Sequence, residues 1–331
     1  MALFATLRKN ALLTAMLVGT LLYELFALVP FLQPIGDEVG PILPDLLPVG
    51  LFTLLYCTFC KIRLSELQPR TWHFVIQAIR VTLSGSLVLM ILALDNGWLP
   101  ITIGEGRAEA CKLILEGMFI CFICPTASAV VVVAEKLGGS IGSLTIFTII
   151  ANMVTMVIIP VFFPLVEREA HITFLMAMLM LLRSVTLVLV VPLVLAQLTR
   201  RFLPAVSNKL NTCKNIGFYI WCFNLAVVTG LTVRNIQHST VSGWVLWMLL
   251  ITPLFVCLVQ FAIGKAVGRH WGDSISAGQA LGQKNTVVGI WLTLTFLNPL
   301  AAVAPGAYVL WQNLVNSWQL WYKQKHGYLI W

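Results

Sequence analysis

Long apolar stretches alternate with short polar ones along the whole chain, and ten of the apolar stretches can cross a hydrocarbon core of about 30 Å. Each is apolar around its whole circumference, which favours helices in a membrane over the weak alternation of a β-barrel. We number them segments 1 to 10; they span residues 11–31, 41–60, 72–94, 110–134, 140–166, 172–198, 213–233, 242–267, 274–297 and 299–321. The pattern predicts an all-α membrane protein with ten transmembrane helices, forming one integral membrane domain over residues 1–331.

Composition supports this interpretation. Of the 331 residues 59% are apolar and only 10% are charged, the mean hydropathy is +0.91, and soluble domains usually carry about 25% charged residues. The net charge of +8 is spread between apolar segments and forms no continuous stripe, so nucleic acid is not an expected partner. Membrane lipid is an expected partner, because the chain is predicted to span a membrane. The eight cysteines lie mostly in apolar runs, where a free thiol behaves as a small hydrophobe.

The distribution of Lys and Arg predicts the orientation. With the N-terminus inside, fourteen basic residues lie on the inner face and four, Arg107, Lys112, Arg168 and Arg234, on the outer face. This strong positive-inside bias predicts that both termini are cytoplasmic, and we expect a bacterial inner membrane.

Three basic residues remain inside segments: Arg80, Arg183 and Lys284. Arg80 and Arg183 lie a third to halfway along their segments, so their long stems are expected to bring the charge to the interface. Lys284 lies near the middle of segment 9. An ionisable residue at that depth predicts a functional site, with a structural pairing to a buried acid such as Glu24 or Glu116 as the alternative.

The chain divides into two halves of five segments, residues 1–166 and 167–331. Because five is odd, the second half enters the membrane from the opposite side, which yields an inverted repeat. The fourth segment of each half is interrupted, by Pro125 in segment 4 and by the polar run 282–285 in segment 9. Matched breaks in inverted repeats predict that segments 4 and 9 cross at the bilayer midplane and form a transport site there.

Two stretches carry a resemblance to a known family. They are "CPTASAVVVVAEKLGGSIGSLTIFTIIANMVTMVIIP" and "GQALGQKNTVVGIWLTLTFLNPLAAVAPGAYVLWQNLVNSW", and they resemble the bile acid:sodium symporter family within the bile/arsenite/riboflavin transporter group. The resemblance implies ten helices in a core and a panel domain, with broken, crossing helices 4 and 9. It also implies alternating-access transport of organic anions, commonly driven by sodium.

The sodium ligands that the resemblance implies are largely replaced in this chain. The family motif Thr-Ala-Ser-Asn in segment 4 becomes Thr126, Ala127, Ser128 and Ala129, which loses the Asn. Other residues that remain near family ligand positions are Ser143 and Thr148 in segment 5 and Gln77 in segment 3.

In segment 9 the family motif runs Glu, any residue, Gly, any residue, Gln, Asn. Gly282 and Asn285 match it, but the Glu has become Ala280 and the Gln has become Lys284. Gln279 could take the acidic position, yet it is uncharged. The residual sodium-site positions, Gln77, Ala129, Ser143, Gln279 and Ala280, therefore form a cage without its carboxylate.

This replacement reverses the electrostatics of the site, because a carboxylate is removed and an ammonium is added. Sodium binding is not expected, and no other cofactor or metal is predicted. The ammonium of Lys284 is expected to stand where the coupling cation stood, to attract an anionic substrate, and to allow proton coupling.

Substrate contacts are expected at the breaks, where each second half-helix begins with free amides and the positive end of its dipole. Thr126 and Ser128 open one half-helix, and Asn285 and Thr286 the other; capping and interhelical bonding are the alternative roles of these side chains. The predicted substrate-binding residues are Thr126, Ser128, Gln283, Lys284, Asn285 and Thr286. The predicted partner is a small organic anion, and the sequence does not indicate an oligomeric state.

Three other functions are weighed against this one. An enzyme is not expected, because the five histidines lie near segment ends and no paired-acid or His-Glu-x-x-His motif occurs. An arsenite or metalloid efflux permease is the first alternative, since Cys124 lies at the break of segment 4 and its thiolate would bind a soft metalloid. A membrane receptor or scaffold that transports nothing is the second.

Overall fold

The computed structural model describes residues 11–40, 42–60, 65, 67–98, 105–127, 129–167, 179, 183, 186–212, 216–238 and 243–329. Helices account for nearly all of these residues, and no β-strand occurs among them. The one extended pairing in these ranges is an isolated bridge between Thr126 and Lys284. The protein is therefore all-helical, as the hydrophobic pattern predicts.

Seven helices lie among the described residues of the first half of the chain. They are α1 (Ala11–Leu28), α2 (Gln33–Val39), α3 (Leu43–Phe59), α4 (Thr71–Asp95), α5 (Glu105–Ile123), α6 (Val130–Leu137) and α7 (Ile141–Val166). Segment 1 is shorter than predicted, because its helix ends at Leu28 and a short separate helix follows. Segment 4 is divided into α5 and α6 around Pro125.

The second half contains seven more helices among the described residues. They are α8 (Val191–Phe202), which follows a π-helical turn at Thr186–Val190, α9 (Pro204–Thr212), α10 (Ile216–Gln237), α11 (Gly243–His270), α12 (Ser274–Gly282), α13 (Thr286–Phe296) and α14 (Val303–His326), which follows a 3₁₀ turn at Pro299–Ala302. Segment 9 is divided into α12 and α13.

Four of these helices, α1, α4, α7 and α11, are by length and composition able to cross a membrane on their own. The helices and their apolar character indicate an integral membrane protein. The full set of ten spans in two inverted repeats stays a prediction.

The helices contact one another in two groups. One group contains α1, α3, α8 and α10, and the other contains α4, α5, α6, α7, α11, α12, α13 and α14. The two groups meet where α14 packs against α1 and α10 and where α6 packs against α10, and one cluster of buried hydrophobic residues draws its members from both groups. The second group contains both broken segments and therefore positions the candidate site.

Glycines allow α11 and α12 to pack against each other at very short range. A Cβ atom at Gly264 would overlap the backbone of Ala277, and one at Gly282 would overlap the ring of Phe261. Small residues at helix contacts are typical of membrane proteins, where close van der Waals packing stabilises helix pairs. This contact fixes the first half of segment 9 against a long continuous helix.

Candidate functional site at the crossing of two broken helices

The two interrupted segments meet through their backbones. The Ala127 N–H donates to the Gln283 carbonyl at 3.1 Å, and the Asn285 N–H donates to the Pro125 carbonyl at 2.8 Å. Thr126 and Lys284 form the antiparallel bridge between these bonds. Helix α5 ends at Ile123 and α12 ends at Gly282, so the breaks lie where the sequence predicts them and are paired with each other.

The first break leaves carbonyl groups at the end of α5 without helical donors. Pro125 has no N–H to offer the carbonyl of Cys121, four residues earlier. The side chain of Gln260 in α11 donates to that carbonyl instead, at 3.2 Å. A polar residue in a long apolar helix therefore replaces the hydrogen bond that the proline removes.

Two basic side chains satisfy the next three carbonyls. Lys284 Nζ donates to the Phe122 carbonyl at 3.1 Å, and Arg80 Nη1 donates to the carbonyls of Ile123 and Cys124, both at 3.1 Å. The end of α5 is the negative end of its dipole, which stabilises positive charge. Two basic side chains from different segments thus converge on a single helix end.

Arg80 does not reach the interface. It is 1% exposed and also bonds to Thr155 Oγ1 and to the Ala151 carbonyl in α7, at 2.8 and 3.1 Å. The expectation that its stem carries the charge to the interface is therefore wrong, because helix-end carbonyls offer the guanidinium partners inside the protein. Arg183, by contrast, is exposed.

Lys284 is also 1% exposed. Its backbone N–H donates to Gln312 Oε1 in α14 at 2.8 Å, so both ends of the residue are held. Within the described part of the chain its ammonium contacts no carboxylate: Glu24 accepts a bond from Gln237, and the buried Glu116 lies on α5 nearly two turns before Phe122. The structural pairing with an acid that the sequence allows is not what the described residues form.

Neutral groups complete the second break. The Thr126 hydroxyl donates to the Ala280 carbonyl at 2.7 Å, and the Tyr308 hydroxyl donates to the Gly282 carbonyl at 2.8 Å. The ends of α5 and α12 therefore differ: basic side chains and the Gln260 amide donate to the carbonyls of the first, and hydroxyl groups donate to those of the second. Thr126 is 1% exposed, so in this conformation it joins the two segments rather than facing an open site.

At the start of α13, Asn285 is the N-cap residue and its side chain accepts from the Val288 N–H at 3.4 Å. Asn285 is half-buried and Thr286 is buried. In the other half-helix the first helical residue is Val130, with Ala129 as N-cap, so Thr126 lies in the extended segment before it. Ser128 lies outside the described residues.

The residual sodium-site positions have mixed surroundings. Ala129 and Ala280 belong to one cluster of buried hydrophobic residues, so methyl groups occupy the positions where the resemblance implies an Asn and a Glu. Ser143 Oγ lies 2.9 Å from His73 Nε2. Gln77, one turn after His73 on α4, is buried, and its amide group has no hydrogen-bond partner among the residues that the structure describes.

Three glutamines, Gln283, Gln279 and Gln319, form a chain of hydrogen-bonded side-chain amides. Gln283 donates to Gln279, and Gln279 donates to Gln319 Oε1 in α14 at 2.7 Å. Gln283 is 2% exposed and Gln279 is 0% exposed. Their amides are therefore used to connect α12 with α14, and the position next to the lost carboxylate is occupied by neutral polar groups.

Four residues of the crossing are absent from the predicted site: Arg80, which was expected at the interface, and Gln260, Tyr308 and Gln312. Gln260, Arg80 and Gln312 are strongly polar residues in otherwise apolar helices, which is the signal that could have marked them. Tyr308 carries no such signal, because aromatic residues are common in membrane helices.

A comparison with family models identifies the chain over most of its length: residues 12–314 match the model described as the SBF-like CPA transporter family (DUF4137). The chain belongs to this family. The SBF-like CPA transporter family is a family of membrane transporters, so the crossing lies in a protein of a transporter family. A comparison with curated proteins found no match.

Proposed function

We propose that this member of the SBF-like CPA transporter family is a secondary transporter of small organic anions, such as bile-acid-like compounds or carboxylate metabolites. It works by alternating access and without sodium, and Lys284 takes the place of the coupling cation. The observation that carries the proposal is the ammonium of Lys284, which is buried at the crossing and bonded to the Phe122 carbonyl.

Electrostatics argue against a sodium ion beside Lys284. At about 4 Å and an effective dielectric constant of about 20, two positive charges repel by about 4 kcal/mol. That energy weakens binding by about a thousandfold. The replacement of both implied ligand side chains by Ala129 and Ala280 removes the carboxylate that would offset the repulsion.

The balance of charge at the crossing supports an anionic substrate. Two helix C-termini and two helix N-termini meet there, so their dipole charges of about half a unit each cancel. Arg80 and Lys284 remain as positive charges that no described carboxylate contacts. Burial of such charges is costly unless a counter-charge arrives, and an anionic substrate would supply it.

Asn285 is the side chain best placed to meet that substrate. It is only half-buried, and it stands at the N-terminus of α13, where the helix dipole is positive. Thr286 and Gln283 are buried beside it, and Lys284 supplies the charge. Thr126 contributes by holding the break in shape through the Ala280 carbonyl.

The proposed architecture is ten helices in two inverted repeats, with both termini cytoplasmic and the protein in a bacterial inner membrane. The group of α1, α3, α8 and α10 would be the panel domain, and the group with both broken segments would be the core. Movement of the core against the panel would expose the crossing to either side in turn.

The deciding experiment is uptake of radiolabelled organic anions into proteoliposomes. Sodium is replaced by potassium or choline, and empty liposomes serve as the control. Uptake that is saturable and unchanged without sodium supports the proposal. A rate that collapses without sodium overturns its coupling step, and the lack of any flux would favour a receptor or scaffold. An imposed pH gradient then separates proton-coupled uptake from uniport or exchange.

The metalloid permease remains an alternative that no contact favours. Cys124 is buried, and its sulfur lies against the position where Gly289 would carry a Cβ. Among the described residues no group of three or more His, Cys, Asp or Glu side chains could hold a metal ion. Arsenite resistance conferred by the wild type and lost in Cys124→Ser would revive this function.

A further inference from the structure

Within the described part of the chain, the guanidinium of Arg80 lies in a cage made only of neutral oxygen atoms. Three surround Nη1: the carbonyls of Ile123 and Cys124 at 3.1 Å and Thr155 Oγ1 at 2.8 Å. A fourth, the Ala151 carbonyl, lies 3.1 Å from Nη2. Rings of neutral carbonyl oxygens are the ligands that channels use to replace the hydration shell of monovalent cations.

The cage is oriented for a positive charge. The Thr155 hydroxyl donates its own hydrogen to the Ala151 carbonyl at 2.8 Å, so its lone pairs are left for Arg80. The carbonyls of Ile123 and Cys124 are at the negative end of α5. Arg80 is 1% exposed, and its guanidinium forms no bond or ion pair with a carboxylate among the described residues.

We propose that Arg80 is a tethered cation that fills a monovalent-cation site between the break of segment 4 and α7. Removal of the guanidinium turns this place into a site for a free monovalent cation. Because a guanidinium keeps its proton in proteins, the charge at this site is permanent and is not exchanged during transport.

This place differs from the sodium positions that the resemblance implies. Those positions include Ser143 and Thr148, in the first part of α7, whereas the cage residues of α7, Ala151 and Thr155, lie three and seven residues beyond Thr148. At a rise of 1.5 Å per residue, those spacings are about 5 and 10 Å along the helix. The inference concerns a second cation and is tested by thermal stability, whereas the proposal for Lys284 is tested by uptake. Either one can therefore fail while the other stands.

The test measures the thermal unfolding of the purified full chain in detergent with choline, sodium, potassium or dilute guanidinium as the only cation. The Tm of the wild type should be the same in all four. Arg80→Ala should have a lower Tm in choline, and guanidinium or potassium should raise it by about 2–4 °C, as ligand binding at one site does.

Arg269→Ala is the matched control, because Arg269 is exposed at the end of α11 and its removal should create no response to cations. Thr155→Val combined with Arg80→Ala should weaken the response, since one oxygen ligand is lost. If Arg80→Ala does not fold, Arg80→Gln, which is uncharged but can still donate to the cage, is measured in its place. A Tm of the Arg80→Ala variant that is equal in choline and in the other three cations overturns the proposal, as does a response of that variant that Thr155→Val leaves unchanged.

Discussion

Lys284 Nζ lies 3.1 Å from the carbonyl oxygen of Phe122, so a side chain of one broken segment closes the helix end of the other. The Lys284 backbone meanwhile pairs with Thr126 across the crossing. Lys284 therefore joins the two broken segments twice, through its side chain and through its backbone. Any movement that separates the two segments must find a new partner for the ammonium or for the carbonyl, because both are costly to leave buried and unpaired.

The first prediction concerns sodium. The initial rate of anion uptake by the wild type should be the same in sodium, potassium and choline, because a sodium ion near Lys284 would be repelled and would find Ala129 and Ala280 where ligands are needed. The measurement is uptake into proteoliposomes at matched ionic strength. A rate in choline far below that in sodium would show that a coupling site persists.

The second prediction reverses the charge replacement. Lys284→Gln with Ala280→Glu removes the ammonium and adds a carboxylate, so uptake and thermal stability should become higher in sodium than in choline. Ala280 is fully buried, so the added carboxylate needs a cation to remain stable there. Lys284→Gln alone is the control, because it removes the repulsion without adding the anionic ligand. Equal behaviour of the double variant in both salts would contradict the electrostatic argument.

The third prediction concerns the contact between α11 and α12. Gly282→Ala should destabilise the protein by about 1–3 kcal/mol, because the added methyl group overlaps the ring of Phe261. Gly306→Ala is the matched control: its Cβ would lie 3.5 Å from Thr232 Cγ2, an ordinary contact, and alanine favours a helix over glycine. Thermal unfolding in detergent distinguishes the two. Equal Tm values for both variants would show that the helices can separate at no cost.

The sequence was sufficient to predict the helical class and both breaks, because hydrophobic length, Pro125 and the polar run 282–285 are local features of the chain. It could not show how the breaks are completed. The carbonyl that Pro125 leaves without a donor is satisfied by Gln260, more than a hundred residues away, and no local pattern relates these positions. Arg80 was misjudged for the same reason: its partners belong to α5 and α7, and only their approach gives the guanidinium an alternative to the interface.

The last prediction separates two residues that the sequence places in one role. Thr126→Ala should destabilise the protein by about 1–3 kcal/mol, because it leaves the buried Ala280 carbonyl without its donor. Asn285→Ala should mainly lower uptake, because Asn285 is half-buried and its cap bond to Val288 is long, at 3.4 Å.

The double variant should show no uptake while it remains folded. Thr229→Ala is the control for Thr126→Ala, since the Thr229 hydroxyl is also buried but, among the described residues, bonds only within its own helix, to the Leu225 carbonyl. Thermal unfolding and uptake are measured on the same preparations, so that lost transport in an intact protein is distinguished from lost protein. Undiminished uptake in the double variant would place the substrate away from the crossing, and unchanged stability of Thr126→Ala would show that the bond to Ala280 does not hold the two segments together.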